Sequence, residues 1–174
     1  MTLRDINIRH QLQAGDLGYV IHLHGKIYHE EYGFKLGFEK YVIESLLEFM
    51  ERYDPSRDKV WVCEHQNRMI GFLLGMHRSD YTAQLRYFLI DKPYRGIGLG
   101  KQLMHEFMDF LIERHYKQAY LLTTDNLAAS AHLYQKFGFQ MTEEKPLMEF
   151  GPALKLQKYE LDLADPYHPA DRLA

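Results

Sequence analysis

The chain has 174 residues, a formal net charge of −3 and a single cysteine, a length that supports one ordinary hydrophobic core rather than two full domains. The near balance of acidic and basic residues leaves no electrostatic footprint for nucleic acid or an anionic membrane surface, and no apolar run has the length of a transmembrane span or a signal-peptide core. Cys63, inside the apolar run Val60-Trp61-Val62-Cys63, has no partner for an internal disulfide, which fits a reduced, cytoplasmic protein with a buried thiol.

Ile6, Ile8 and Leu12 alternate with polar positions, with one break, and predict a short first strand ending near Ala14-Gly15. Asp16 is placed to cap a helix running to Tyr32, which Gly33 ends. Phe38 to Arg52 carries Tyr41, Val42, Ser45, Leu46, Phe49 and Met50 at helical spacing and stops at Asp54-Pro55. Val60 to Glu64 and Met69 to Met76 are strands joined by the polar turn His65-Gln66-Asn67-Arg68. Tyr81 to Ile90 is the next strand, and it feeds a glycine-rich stretch, Arg95-Gly96-Ile97-Gly98-Leu99-Gly100-Lys101. A helix from Leu99 to His115 follows, with Leu99, Leu103, Phe107, Phe110 and Leu111 along one stripe. Ala119 to Thr123 is a short strand, and Asp125 or Asn126 is placed to cap the helix Leu127 to Phe137, which ends at Gly138. Phe139 to Glu143 and Leu154 to Leu163 are the last strands. The order β-α-α-β-β-β-α-β-α-β-β predicts one α/β domain over residues 6–163, with helices on the faces of a mixed sheet, and a loose tail over 164–174.

The glycine stretch sits at a strand-to-helix junction. Glycines there allow close approach to the main chain or positive φ, and the first amides of the following helix lack intrahelical partners. The implied ligand is an anion, most simply a phosphate. The spacing G-x-G-x-G in mid-chain is not a dinucleotide fingerprint, and Gly100-Lys101 is followed by Gln102 rather than by the serine or threonine of a Walker loop. The ten histidines include no HExxH pattern, and Cys63 with His65 on one strand face does not make a zinc site, so no metal is expected.

Arg95-Gly96-Ile97-Gly98-Leu99-Gly100 has the form R-x-x-G-x-G, which resembles the acetyl-coenzyme A signature of the GNAT superfamily of N-acetyltransferases. The segment Asn126 to Phe139, with Ala128, Ala129, Tyr134 and Gly138-Phe139, resembles that family's second hallmark. The stretch Tyr28 to Phe38, with Glu30-Glu31-Tyr32-Gly33-Phe34, is also similar to GNAT domains fused to MarR-type regulators, although no such regulator is expected within these 174 residues. The resemblance implies a mixed, mostly antiparallel seven-stranded sheet with about four helices on its faces. It also implies acetyl-CoA as co-substrate, its pyrophosphate on the amides of Gly96, Ile97, Gly98, Leu99, Gly100 and Lys101, with Arg95 adding charge. Its acyl arm would lie along the main chain of Leu89 and Ile90, Asn126 would reach that arm, and Ser130 would share a helix face with Tyr134.

In the family a tyrosine matching Tyr134 points its hydroxyl at the thioester sulfur, and a protonated tyrosine can donate to a leaving thiolate. Many members carry a glutamate base on the strand before the loop, where this chain has Gln84, Arg86 and Tyr87. The candidates elsewhere are Glu30, Glu31, Glu64 or a water chain, with Glu30 or Glu31 favoured because the first helix walls the acceptor pocket in the family. The resulting expectation is an acetyl-CoA-dependent N-acetyltransferase acting on a primary amine of a small molecule or protein, with a homodimer as a further partner the family allows. Two other readings stand beside it: a catalytically idle acyl-CoA sensor or interaction module, and a nucleotide-phosphate binder that ATP rather than CoA would compete for.

Overall fold

A computed structural model describes residues 2–163; the expected tail over 164–174 lies outside the described residues. A short 3₁₀ turn at Leu3–Asp5 leads into β1 (Asn7–Arg9), α1 (Asp16–Tyr32), α2 (Leu36–Arg52), β2 (Lys59–His65), β3 (Arg68–His77) and β4 (Thr82–Ile90). A second 3₁₀ turn at Lys92–Tyr94 precedes α3 (Leu99–Glu113), β5 (Gln118–Thr124), α4 (Ala128–Lys136), β6 (Gln140–Leu147) and β7 (Leu154–Asp162). The seven strands form one sheet in the order β1-β2-β3-β4-β5-β7-β6. Every neighbouring pair is antiparallel except β4 with β5, which gives the mixed, mostly antiparallel sheet and the four α-helices expected.

The central strands read as continuous apolar runs because both faces of the sheet are covered. Along β2 the pleat sends Trp61 and Cys63 into one core with Leu103, Phe107 and Phe110 of α3. Val60 and Val62 go to the opposite core with Val20, Leu46 and Phe49 from α1 and α2. The buried Trp61 keeps its one polar atom satisfied, since Nε1 donates to Glu106 Oε2 at 2.9 Å. Between β2 and β3, Gln66 and Asn67 take φ of 51° and 60°, the paired left-handed conformation of a two-residue hairpin turn.

Three expected features differ. The first strand is confined to Asn7–Arg9, because Arg9 turns its guanidinium to Asp16 (2.7 Å) and Glu64 (2.9 Å) and the chain leaves the sheet. Asp16 does not cap α1; the cap is Gly15 at φ 96°, and the Asp16 carboxylate is taken by Arg9 and the Gln13 amide. Neither Asp125 nor Asn126 caps α4, which begins after Leu127 without a side-chain cap. Asp125 Oδ1 accepts from the Lys155 amide and Asn126 Oδ1 from Thr124 Oγ1, so both side chains brace the turn instead.

The strands β4 and β5 hydrogen-bond only from Thr82↔Gln118 to Gln84↔Tyr120, and beyond these residues they part. The cause lies in β4. Its register against β3 slips between Phe72↔Leu89 and Leu74↔Arg86, so two β4 residues face one on β3, and such a bulge bends the strand that carries it. Tyr87 in the bulge has φ 53°, a costly conformation for an aromatic residue. It is held by its hydroxyl, which donates to Ser45 Oγ of α2 at 2.7 Å, while Ser45 donates to the Val42 carbonyl. The parted strands open a cleft in the middle of the sheet.

Candidate functional site

One end of the cleft is built from backbone. Asp91 ends β4 by accepting from the Lys92 amide, and the chain then passes through Gly96 and Gly98, at φ 79° and 94°, a region that side chains disfavour. Gly98 is the N-cap of α3 and offers no side-chain hydrogen bond. The Gln102 amide is the first to bond within the helix, to the Gly98 carbonyl at 3.0 Å. The amides of Leu99, Gly100 and Lys101 therefore point out of the helix start with no backbone acceptor among the described residues, a cradle with partial positive charge. Gly100 differs from its neighbours. Its φ is not positive, and a Cβ there would meet Ile90 and Leu133 at an ordinary 3.5 Å, so positive φ is demanded only at the first two glycines.

Arg95 is not free. Its guanidinium holds Glu31 of α1 in a bidentate pair (2.6 and 2.9 Å), and its Nε donates to the Ile90 carbonyl at 2.7 Å. The loop is thus tied to α1, and Glu31 is occupied by that tie. Glu30 is exposed. Neither glutamate lines the cleft. On the side facing β5, the Leu89 and Ile90 stretch has no strand partner among the described residues, because the pairing of these two strands stops at Gln84.

Beyond the loop the cleft widens into a cavity of about 620 Å³. Ser130 and Tyr134 of α4 line it together, one helical turn apart as their spacing predicts, whereas Asn126 does not. Tyr134 is buried and packs against Phe88, Phe139 and Tyr159, with ring centroids 6.2–6.4 Å away. Burial, with a smaller contribution from Tyr28, pushes its hydroxyl far above the usual tyrosine range, against an opposing pull from Ser130. Tyr28 is itself pushed up to about 12, chiefly by burial. Both phenols are proton donors at any ordinary pH.

The far wall contains side chains that sequence reasoning did not assign to the site. His24, Tyr28, Phe34, Phe38, Tyr41 and Phe150 line it, joined by ring contacts such as Tyr28–Phe38 at 4.7 Å and Phe38–Phe150 at 4.9 Å. His24 is buried and stacked on Tyr28. Its Nδ1 lies 2.8 Å from the Val20 carbonyl, which leaves Nε2 as the lone-pair nitrogen. Burial pulls its pKa down to about 4, so the ring is neutral. Phe150 arrives from the β6–β7 loop, which lies across the start of α2: the Lys35 amide donates to the Phe150 carbonyl at 2.8 Å, and a Cβ at Gly37 would collide with the Glu149 carbonyl. No local signal marked this loop as a wall of the cavity, because its approach to α2 is a long-range contact.

Arg86 of β4 also lines the cavity, beside Gln84 and Tyr87. It is 9% exposed. Its Nη1 reaches Glu48 Oε2 of α2 at 3.3 Å and its guanidinium carbon lies 5.1 Å from the Tyr87 ring centroid. Glu48 also takes Arg78 at 2.6 Å and Arg52 at 3.4 Å. Among the described residues no group of three or more histidine, cysteine or acidic side chains is arranged to hold a metal ion, and no helix is long and apolar enough to cross a membrane.

A glycine cradle at a helix start, opening through parted central strands toward a buried tyrosine, is the arrangement of an acyl-coenzyme A transferase fold. Residues 21–139 match the acetyltransferase (GNAT) family profile, and the chain belongs to that family. Among relatives, it is 40% identical over 88 residues to the spermine/spermidine N(1)-acetyltransferase of Bacillus subtilis strain 168, covering 46% of this chain and 58% of that one. It is 30% identical over 91 residues to the N-acetylaspartate synthetase of Danio rerio, covering 52% of this chain and 32% of that one. The chain thus spans less than two thirds of the length of either relative. Its fold matches a GNAT family acetyltransferase of Staphylococcus aureus Mu50 (TM-score 0.71, 20% identity, 91% of this chain and 99% of that one). It also matches one from Elizabethkingia anophelis with acetyl-CoA bound (TM-score 0.61, 16% identity, 91% and 99%).

Proposed function

We propose that this protein transfers the acetyl group of acetyl-CoA to a primary amine. The observation that carries the reading is the succession of three features around the parted strands: the free amides of Leu99, Gly100 and Lys101, the edge of β4 left unpaired beyond Gln84, and Tyr134 on the cavity wall, with Gly100 next to Phe88 of that same wall. These fit the cofactor in turn. The cradle suits a pyrophosphate, the edge suits an amide-bearing arm that adds like a strand, and the tyrosine suits the sulfur at the arm's end.

Acetyl-CoA supplies the acetyl group as an activated thioester. The chain's own residues supply position and protons. The cavity holds the amine against the carbonyl, and Tyr134, kept protonated by burial, donates to the departing sulfur. The proton of the attacking amine leaves to Glu30 or Glu31, and because neither lines the cavity a bridging water completes that path. The buried Cys63, its thiol pushed up to about 12 by burial, takes no part as a nucleophile and supports a cytoplasmic setting.

Calorimetric titration with acetyl-CoA, followed by detection of free thiol with an amine panel, tests the reading. Saturable binding and amine-dependent thiol release are expected; absence of binding at millimolar acetyl-CoA overturns it. Binding without thiol release from any amine points to the idle acyl-CoA module instead.

A further inference from the structure

The acceptor end of the cavity is unevenly charged. Arg86 is the one buried guanidinium on its wall, and among the described residues its only acceptor is Glu48 Oε2, at a long 3.3 Å. That carboxylate is already engaged by Arg78 at 2.6 Å and touched by Arg52 at 3.4 Å. One carboxylate therefore faces three guanidiniums, and the member of the set that reaches the cavity is the buried one, held at 3.3 Å where Arg78 closes to 2.6 Å. A buried cation with incomplete pairing is costly, and an anion that completes it binds with the planar fork's bidentate geometry.

The remaining wall offers no matching site for a second cation. The carboxylates that line the cavity, Glu44 and Glu149, are both exposed; Glu44 is paired with Lys40 at 3.5 Å, and Glu149 accepts from the Met148 amide. What the wall does offer is rings, Tyr28, Phe34, Phe38 and Phe150 among them.

We propose that the acceptor is an amino acid with an apolar or aromatic side chain, its carboxylate held by Arg86 and its side chain lying on the ring wall. This rests on the acetyltransferase reading above. In the transfer the amine nitrogen bonds to the acetyl carbon, the carbon–sulfur bond breaks, one amine proton leaves through water to Glu30 or Glu31 and the sulfur takes a proton from Tyr134. The product is an N-acetyl amino acid that keeps its carboxylate. A polyamine, with several ammonium groups and no anion, finds no buried counter-charge here and has nothing to offer Arg86.

The test uses the whole chain with acetyl-CoA and matched acceptors: L-phenylalanine against 2-phenylethylamine, L-leucine against 3-methylbutylamine, and spermidine. Each amino acid is expected to exceed its decarboxylated partner in kcat/KM by about 10- to 100-fold, the range of a hydrogen-bonded charge. Arg86→Gln is expected to raise KM for the amino acid by a similar factor while calorimetric affinity for acetyl-CoA changes less than about twofold. Equal or better turnover of the decarboxylated amine, or preference for spermidine, overturns the proposal and leaves the acetyltransferase reading intact. Should Arg86→Gln fail to fold, the wild-type pairs still decide. Calorimetric binding of L-phenylalanine without thiol release would instead support the Arg86 site and sink the transfer reaction.

Discussion

The two ends of the cleft are made of different material. In the proposed transfer the donor end is main chain: positive-φ glycines, unpaired amides at the start of α3 and the bare edge of β4. The acceptor end is side chain: rings from α1, α2 and the β6–β7 loop, with Arg86 set among them. Backbone recognition depends on local conformation, so it tolerates change in the intervening residues and travels as a short motif. Side-chain recognition depends on which elements meet, so it carries specificity and leaves no motif. Tyr134 stands where the two ends join, and the strongest perturbation of the molecule is expected there.

Tyr134→Phe removes the proposed proton donor and nothing else of size. A fall in kcat of about 100-fold or more is expected, in the range of general acid catalysis, with acetyl-CoA affinity nearly unchanged in calorimetry; a matching loss of affinity would move Tyr134 from chemistry to binding. Gly98→Val breaks the donor end alone. A β-branched residue at φ 94° costs about 1–3 kcal/mol, so a loss of acetyl-CoA affinity of about 5- to 100-fold is expected while acceptor selectivity persists. If selectivity shifts with it, the two ends are not separable.

His24 probes the acceptor end through pH. Its folded pKa of about 4 lies below the ordinary histidine value near 6.5, so between those values the unfolded chain binds more protons than the folded one. Stability is therefore full above about pH 6.5 and falls as the solution is acidified toward pH 4, by up to roughly 3 kcal/mol from this group alone. Urea unfolding at pH 7 and pH 5 should show the drop, and His24→Gln should flatten it; an unchanged slope would mean that other groups set the acid limb.

The smallest effect tests the tie between the ends. Glu31→Gln breaks a partly exposed pair with Arg95 worth about 1 kcal/mol or less in stability, and releases the guanidinium toward the glycine cradle. A gain of a few-fold in acetyl-CoA affinity is expected. Should kcat collapse instead, Glu31 would be the group that takes the amine proton, and a collapse in Glu30→Gln would assign that role to Glu30.

Strand and helix order were legible in the sequence because periodicity reports burial locally. The alternation in β2 was hidden in a continuous apolar run, yet its length and branching still marked a strand. Misplaced details cluster where short polar side chains had two employers. Asp16, Asp125 and Asn126 all have the chemistry of a cap, and each is bound to a distant or neighbouring group that only the fold supplies. Ser130 with Tyr134 was readable, since a four-residue spacing on a helix is a geometric fact. Nothing local links Glu48 to Arg78 and Arg86, which lie 30 and 38 residues away in the chain.

By itself the sequence determined the backbone at the start of α3: glycines ahead of a helix allow positive φ and leave its first amides unpaired, because both are local properties. The tertiary structure alone decided the acceptor end. The bulge at Tyr87 parts the strands, Ser45 holds it from another element, and rings separated by more than a hundred residues close one cavity around Arg86. Those relations are distances between segments, and distance along the chain does not encode them.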